Sequence, residues 1–360
     1  MHGQTGLDAE HSPAPRLQFL IPGNLFAATG GYGYDRRLIA GLRARGWQVD
    51  LTALDASFPA PSAAALADAA VQLASIADHE RVLIDGLALG AMPLLLEAER
   101  ERLRLVGLVH HPLADETGLA PADRQRLWDS ERAALAAMRT VVVTSAATAQ
   151  RLGQMGMPSA RIRVIEPGTD PAPLARRVGR APLRLLCVGA LIPRKGHRFL
   201  LEALASLRDL AWRIDLIGCL KADPTTVASI RTQIDRLALG GRVLIQGEVT
   251  DEALEAAYQQ ADLFVLPSLF EGYGMAFSEA LAHGLPILGC RAGAVPDTVP
   301  ADAGLLVAPG SSAALAAGLR QLLTDRTQRL ELAAGAERAR ARLPDWPSQV
   351  QRWQDLLAHV

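Results

Sequence analysis

One order of elements occurs twice along the 360 residues: a short apolar run, a glycine-bearing loop, a helix, then another apolar run. Strands joined through helices lie parallel, with right-handed crossovers and helices covering both faces of the sheet. The first series has strands expected at 17–23, 47–54, 81–86, 103–110, 140–145 and 162–168. The stretch 167–182, "PGTDPAPLARRVGRAP", is rich in Pro, Arg and Gly and reads as a linker. Beyond it the series restarts at 183–190, 212–218, 242–247, 263–266, 285–290 and 303–307, without visible repetition of the sequence itself. The fold class expected is α/β, as two Rossmann-like, doubly wound parallel-sheet domains. Ligands in such folds bind beyond the carboxyl ends of the strands, which places a central cleft between the two sheets.

The expected boundaries are a flexible tail at 1–15, an N-terminal domain at 16–172, a linker at 173–182 and a C-terminal domain at 183–344. With 49% hydrophobic residues each half can fill a core, and a net charge of −1 gives no reason to expect nucleic acid. Cys187, Cys219 and Cys290 are far apart, odd in number and set in apolar runs, so they read as core residues of a reducing compartment. The N-terminus lacks the pattern of a signal peptide, and no apolar run reaches the length of a membrane span. The expected location is cytoplasmic.

The most informative stretch runs from Ala261 to Leu288, "ADLFVLPSLFEGYGMAFSEALAHGLPIL". A buried strand ends at Pro267, a Gly-rich bend follows, and a helix then carries Ala276, Phe277, Ala280 and Leu281 on its apolar face. Backbone N–H groups at a strand–glycine–helix junction suit a phosphate. Glu271 and Glu279 would repel a bare phosphate, but a carboxylate accepts two hydrogen bonds from a vicinal diol. Phosphates and diols together describe a nucleotide sugar. The segment resembles the Glu-x7-Glu signature of the family-four retaining glycosyltransferases, which have the GT-B architecture of two Rossmann-like domains facing a cleft. The resemblance implies that Glu271 lies near the donor sugar, that Glu279 holds the ribose hydroxyls, and that Gly272, Tyr273, Gly274 and Met275 flank the diphosphate. It also implies that a last helix, in the segment 345–360, crosses back onto the first domain.

Other motifs carry the resemblance further. In "LLCVGALIPRKGHRFLLEAL" the family's Lys-Gly pair is Lys195-Gly196, and Lys195 with Arg194 would stabilise the departing diphosphate. Where the family has Arg after the strand's Gly this chain has Ala190; either Arg194 replaces that cation or the diphosphate is held more weakly. Lys occurs only at 195 and 221 in an Arg-rich chain, which points to a need for a compact point charge at 195. Gly30-Gly31 resembles the family's N-terminal glycine loop; as a dinucleotide fingerprint the run fails, because Arg36 stands at the third glycine position. His110 and His111 end a buried strand where the family has a His at the donor sugar, and either fits. Asp115 and Glu116 are lesser candidates for acceptor contacts, and Val249 would lie near the base. The turn Glu166-Pro167-Gly168-Thr169-Asp170 lacks the family's Asn.

The reading is a metal-independent hexosyltransferase. It moves a sugar from a nucleoside-diphosphate donor to an acceptor hydroxyl with retention, using His110 or His111, Lys195 and Glu271 in catalysis and no cofactor. No spacing of metal ligands or Asp-x-Asp is present. The acceptor, a sugar, a lipid-linked sugar or a small molecule, is left open, as is peripheral contact with the inner membrane face through the Arg-bearing helix 36–45. The alternatives are a non-catalytic binding subunit, which Ala190 favours, and an epimerase or phosphorylase of the same fold.

Overall fold

The computed structural model describes residues 14–27, 29–176 and 181–360. Most of the expected tail, and residues 177–180 of the expected linker, lie outside the described residues. The first sheet is built from β1 (Arg16–Pro22), β2 (Gln48–Leu54), β3 (Arg81–Asp85), β4 (Arg104–Val109), β5 (Thr140–Val143) and β6 (Ile162–Val164). Their order across the sheet is β2-β1-β3-β4-β5-β6. The second contains β7 (Leu183–Val188), β8 (Trp212–Ile217), β9 (Val243–Gly247), β10 (Leu263–Leu266), β11 (Ile287–Cys290) and β12 (Gly304–Val307), in the order β12-β11-β10-β7-β8-β9. Every pairing is parallel. The strands therefore need two covered faces, which is why runs such as Leu263–Leu266 are buried at every position.

The strand order reverses between β1 and β3 in one sheet and between β7 and β10 in the other. At such a point the two neighbouring crossovers leave on opposite faces and open a crevice beyond the strand ends. The expected strands ran a few residues long at these ends, because caps stop them. Ser145, for example, accepts the Thr148 N–H and starts the Ala146–Gln154 helix, so β5 ends at Val143. The glycines at 30 and 31 are not in a loop either. Thr29 caps the Gly30–Ala44 helix, and both glycines form its first turn. A side chain at Gly31 would press on the His110 ring, with its Cβ 3.1 Å from Cδ2.

The C-terminal helix, Trp346–Ala358, lies beside the Gly30–Ala44 helix and shares a core with the first sheet. Trp353 is 1% exposed among Leu17, Leu38 and Leu42, and its indole N–H donates to the Tyr34 hydroxyl at 2.6 Å. That hydroxyl donates to the Ile165 carbonyl at 3.2 Å. Gly41 makes room for Val350, since a Cβ there would meet it at 2.4 Å. Removing the Trp353 side chain leaves a cavity and takes away the N–H that the Tyr34 hydroxyl accepts. Trp353→Ala is expected to lower stability by about 3–5 kcal/mol, measured as a fall in the urea midpoint.

Candidate active site

Between the carboxyl edges of the two sheets lies a cavity of about 460 Å³. It takes Gly30, His110 and His111 from the first half and Arg194, Lys195 and Val249 from the second. The Glu271–Met275 bend and Glu279 complete the wall, as does Ala190. Gly31 lies one layer back, under His110.

The centre of the second wall is Glu271, buried where the chain leaves β10. Its Oε1 accepts from Lys195 Nζ at 2.6 Å and from Ser268 Oγ at 2.5 Å, and its Oε2 lies 3.5 Å from Arg194 Nη1. Burial would raise the pKa of this carboxyl, but the charges of Lys195 and Arg194, with the hydrogen bonds from Lys195 and Ser268, bring it below its ordinary value. Arg194 is further occupied by the Phe270 carbonyl (3.0 Å) and by Glu116 (3.3 Å). Glu116 also meets His111 Nε2 at 3.3 Å. Burial pushes the Glu116 carboxyl upward, yet His111 and Arg194 outweigh it and set it at about 2. Arg194 is thus engaged by protein groups on several sides.

Two glycines allow the close fit. Gly274 adopts φ 91° as the residue before the Met275–Ala282 helix, whose N-terminal N–H groups open on the cavity. Gly272 lets the halves meet, for a Cβ there would stand 1.9 Å from the His110 carbonyl oxygen. Glu279, on the same helix, accepts from the Tyr258 hydroxyl at 2.7 Å. Burial first, with the nearby Asp170 and Asp251 charges, raises Glu279 to about 7 against the opposing Tyr258 bond. The Tyr258 ring in turn stacks on His283, 4.8 Å away.

Sequence reasoning missed four members of this environment: Tyr258, Ser268, Asp35 and Asp85. Ser268 could have been found, three residues before Glu271 at the strand's end, and Asp85 stands at a strand end before a glycine. Asp35 and Tyr258 sit inside helical patterns with no local signal. Asp35, Asp85 and His110 are the one group of metal-capable side chains that converges among the described residues, and spacing along the chain does not reveal it.

A crevice of this kind, between two Rossmann-like sheets with carboxylates and cations at the switch points, is that of the GT-B architecture. Residues 178–339 match the family model "Glycosyl transferases group 1" and residues 82–173 match "Glycosyltransferase Family 4". The chain is 30% identical to a D-inositol 3-phosphate glycosyltransferase of Xylanimonas cellulosilytica, over 74% of this chain and 68% of that one. It is 28% identical to a GDP-mannose-dependent alpha-(1-6)-phosphatidylinositol monomannoside mannosyltransferase of Mycobacterium tuberculosis, over 79% and 76%. In structure it resembles sucrose-phosphate synthase from Thermosynechococcus elongatus, with TM-score 0.79, 20% identity, and 96% and 100% of the chains covered. The protein belongs to the family-four glycosyltransferases. No helix among the described residues is long and apolar enough to cross a membrane.

A carboxyl group whose pKa is raised on folding costs stability once it ionises. For Glu279 that cost is absent below about pH 4.3, its ordinary value, grows as pH rises, and is complete above about 7. Glu279→Gln keeps an acceptor for Tyr258 and loses the charge. It is expected to be more stable than the parent at pH 8, by about 1–3 kcal/mol, with the gain vanishing near pH 4. Urea unfolding at both pH values measures it, and equal stability at pH 8 would contradict the burial argument.

Proposed function

We propose that the protein transfers a hexose from a nucleoside diphosphate to an acceptor hydroxyl, with retention of configuration and without a metal ion. The observation that carries this reading is the Lys195–Glu271–Arg194 cluster at one switch point, sharing a cavity with Glu279 and with the His110 wall opposite. The diphosphate sits between Lys195 and the N-terminus of the Met275–Ala282 helix, where cationic and N–H groups meet its charge. Glu279 receives the ribose hydroxyls on the carboxylate oxygen that Tyr258 does not engage. Val249 borders the base. In the reaction the bond from the anomeric carbon to the diphosphate breaks and the acceptor oxygen bonds to that carbon from the same face. The acceptor's proton passes to the departing phosphate oxygen.

A second cavity, of about 360 Å³, adjoins the first across Glu116 and Phe270, the residues that hold Arg194. Its carboxylate, guanidinium and amide groups (Glu116, Arg124, Gln150) suit a polyhydroxylated acceptor, and we assign it to the acceptor side. The GDP-mannose dependence of the mycobacterial relative makes GDP-mannose the first donor to try.

Thermal shift against UDP-, GDP-, dTDP- and ADP-sugars, with and without magnesium, tests the donor. A ligand at about 100 times its Kd adds about 2.7 kcal/mol, or a few degrees for a chain of this size. GDP-mannose is expected to give that shift without magnesium; a shift that appears only with magnesium would overturn metal independence, and none from any sugar would favour a non-catalytic binding subunit. Lys195→Ala is expected to reduce kcat by about 10²–10³-fold, the cost of losing one preorganised group at a developing charge. Release of nucleoside diphosphate measures it.

A further inference from the structure

Three side chains from three elements close on one another at the carboxyl edge of the first sheet. Asp35 comes from the second turn of the Gly30–Ala44 helix, Asp85 ends β3, and His110 follows β4. Both aspartates are shut off from water, at 0% and 1% exposure. His110 Nε2 lies 3.2 Å from Asp35 Oδ1 and 3.7 Å from Asp85 Oδ2. The other Asp85 oxygen accepts the Leu87 N–H at 2.9 Å, whereas Asp35 Oδ2 has no hydrogen-bond partner among the described residues.

Arg36, next after Asp35 on the Gly30–Ala44 helix, gives its guanidinium to the Leu25 and Ala27 carbonyls and not to this cluster. The Tyr34 ring meets the imidazole edge-on at 5.4 Å, and the Tyr32 hydroxyl donates to the Pro22 carbonyl. Thr144 donates to the His110 carbonyl, and from the second half the uncharged Gly272 backbone closes on that same carbonyl. His111 turns away to Glu116 and the Phe270 ring. No Lys or Arg pairs with either aspartate among the described residues, and two buried carboxylates this close cannot both ionise without a cation between them. Among the described residues the imidazole is the one group placed to be that cation. Its Nδ1, on the far side of the ring, has no hydrogen bond to any described residue and is not among the buried polar atoms left unpaired, so it faces the cleft.

We propose that Asp35 and Asp85 are positioning residues that hold His110 as an imidazolium, with Nε2–H given to Asp35, the Asp85 charge beside it, and Nδ1–H presented to the substrates. The titration behaviour agrees. Burial, then the Asp35 charge, pushes Asp85 up to about 7, against the pull of the His110 charge. On His110 burial acts downward, but the charge and hydrogen bond of Asp35, with the charge of Asp85, outweigh it and raise the pKa. An imidazolium has no lone pair, so His110 cannot take the acceptor's proton. It is a fixed, positively charged donor for a substrate oxygen, on the wall facing Lys195. Its role in turnover rests on the transfer reading above; its charge does not.

The test is a nitrogen-15 and carbon-13 NMR titration of the histidine rings in the full-length protein from pH 5 to 9, with His110→Gln to assign the signal. His110 is expected to titrate above the ordinary value of about 6.5, with both nitrogens protonated at neutral pH. Asp35→Asn and Asp85→Asn should each bring it down by a unit or more. A His110 that titrates at or below the ordinary value in the parent protein overturns the proposal without recourse to any variant, as does a raised value that neither substitution lowers. With a donor that turns over, kcat should fall as pH rises through the NMR value, and in Asp35→Asn that fall should move to lower pH while the donor KM changes little. A kcat that instead rises through that value marks His110 as a base and overturns the proposal. If no nucleotide sugar is turned over, the transfer reading fails and the NMR titration still decides the charge state.

Discussion

The pairing of Glu271 with Lys195 is the interaction on which the cleft depends. It joins the loop after β7 to the loop after β10, the two strands at which the second sheet reverses its order. A buried carboxylate there is tolerable only because Lys195, Ser268 and Arg194 converge on it. Through Arg194 the same network reaches Glu116 and, by way of Glu116, His111 in the first half. The charges that serve the second sheet therefore also bind the two halves across the cavity.

The closure depends on absent side chains as much as on present ones. Gly272 lies against the His110 carbonyl, and the Thr148 hydroxyl reaches the Gly272 carbonyl at 3.4 Å. Gly196, at φ 70°, brings the Lys195 turn against the Pro267 carbonyl, where a Cβ would lie 2.2 Å away. Lys195 and the Glu271 bend are thereby set against each other by backbone contact before any side chain acts.

The architecture was legible in the sequence because each of its signals is local. A four-residue run such as Leu263–Leu266, closed by Pro267, has few readings in a chain that alternates strands with helices; Glu271 and Lys195 stand a few residues past strand ends, and Glu279 lies in the helix that follows Glu271. The long helices Ser312–Thr324 and Arg326–Arg340 were not anticipated; they are separated only by Asp325, which caps the second. What stayed hidden is what depends on three-dimensional convergence. Asp35 reads as one more charge in "YDRR", and only the packing of the first helix against β3 and β4 turns it to His110. Tyr258 looks like an apolar-face residue of the Asp251–Gln260 helix, and its hydroxyl finds Glu279 only across the fold.

Ala190 leaves the cleft short of one family cation, and the structure shows how the remaining charge is distributed. Lys195 and Arg194 are matched by Glu271 and Glu116, so the cluster is close to neutral before a donor arrives. A diphosphate bound there, as proposed, would either draw these cations partly away from their carboxylates or be met by backbone N–H groups. The second route is open, because the Gly30–Ala44 and Met275–Ala282 helices both begin on the cavity. Arg36 is also on the wall, bonded to the carbonyls of Leu25 and Ala27 and to no carboxylate among the described residues. Positive potential thus reaches the cavity from the first half as well as from the second. A shortfall at one position of the second half does not by itself imply loss of turnover.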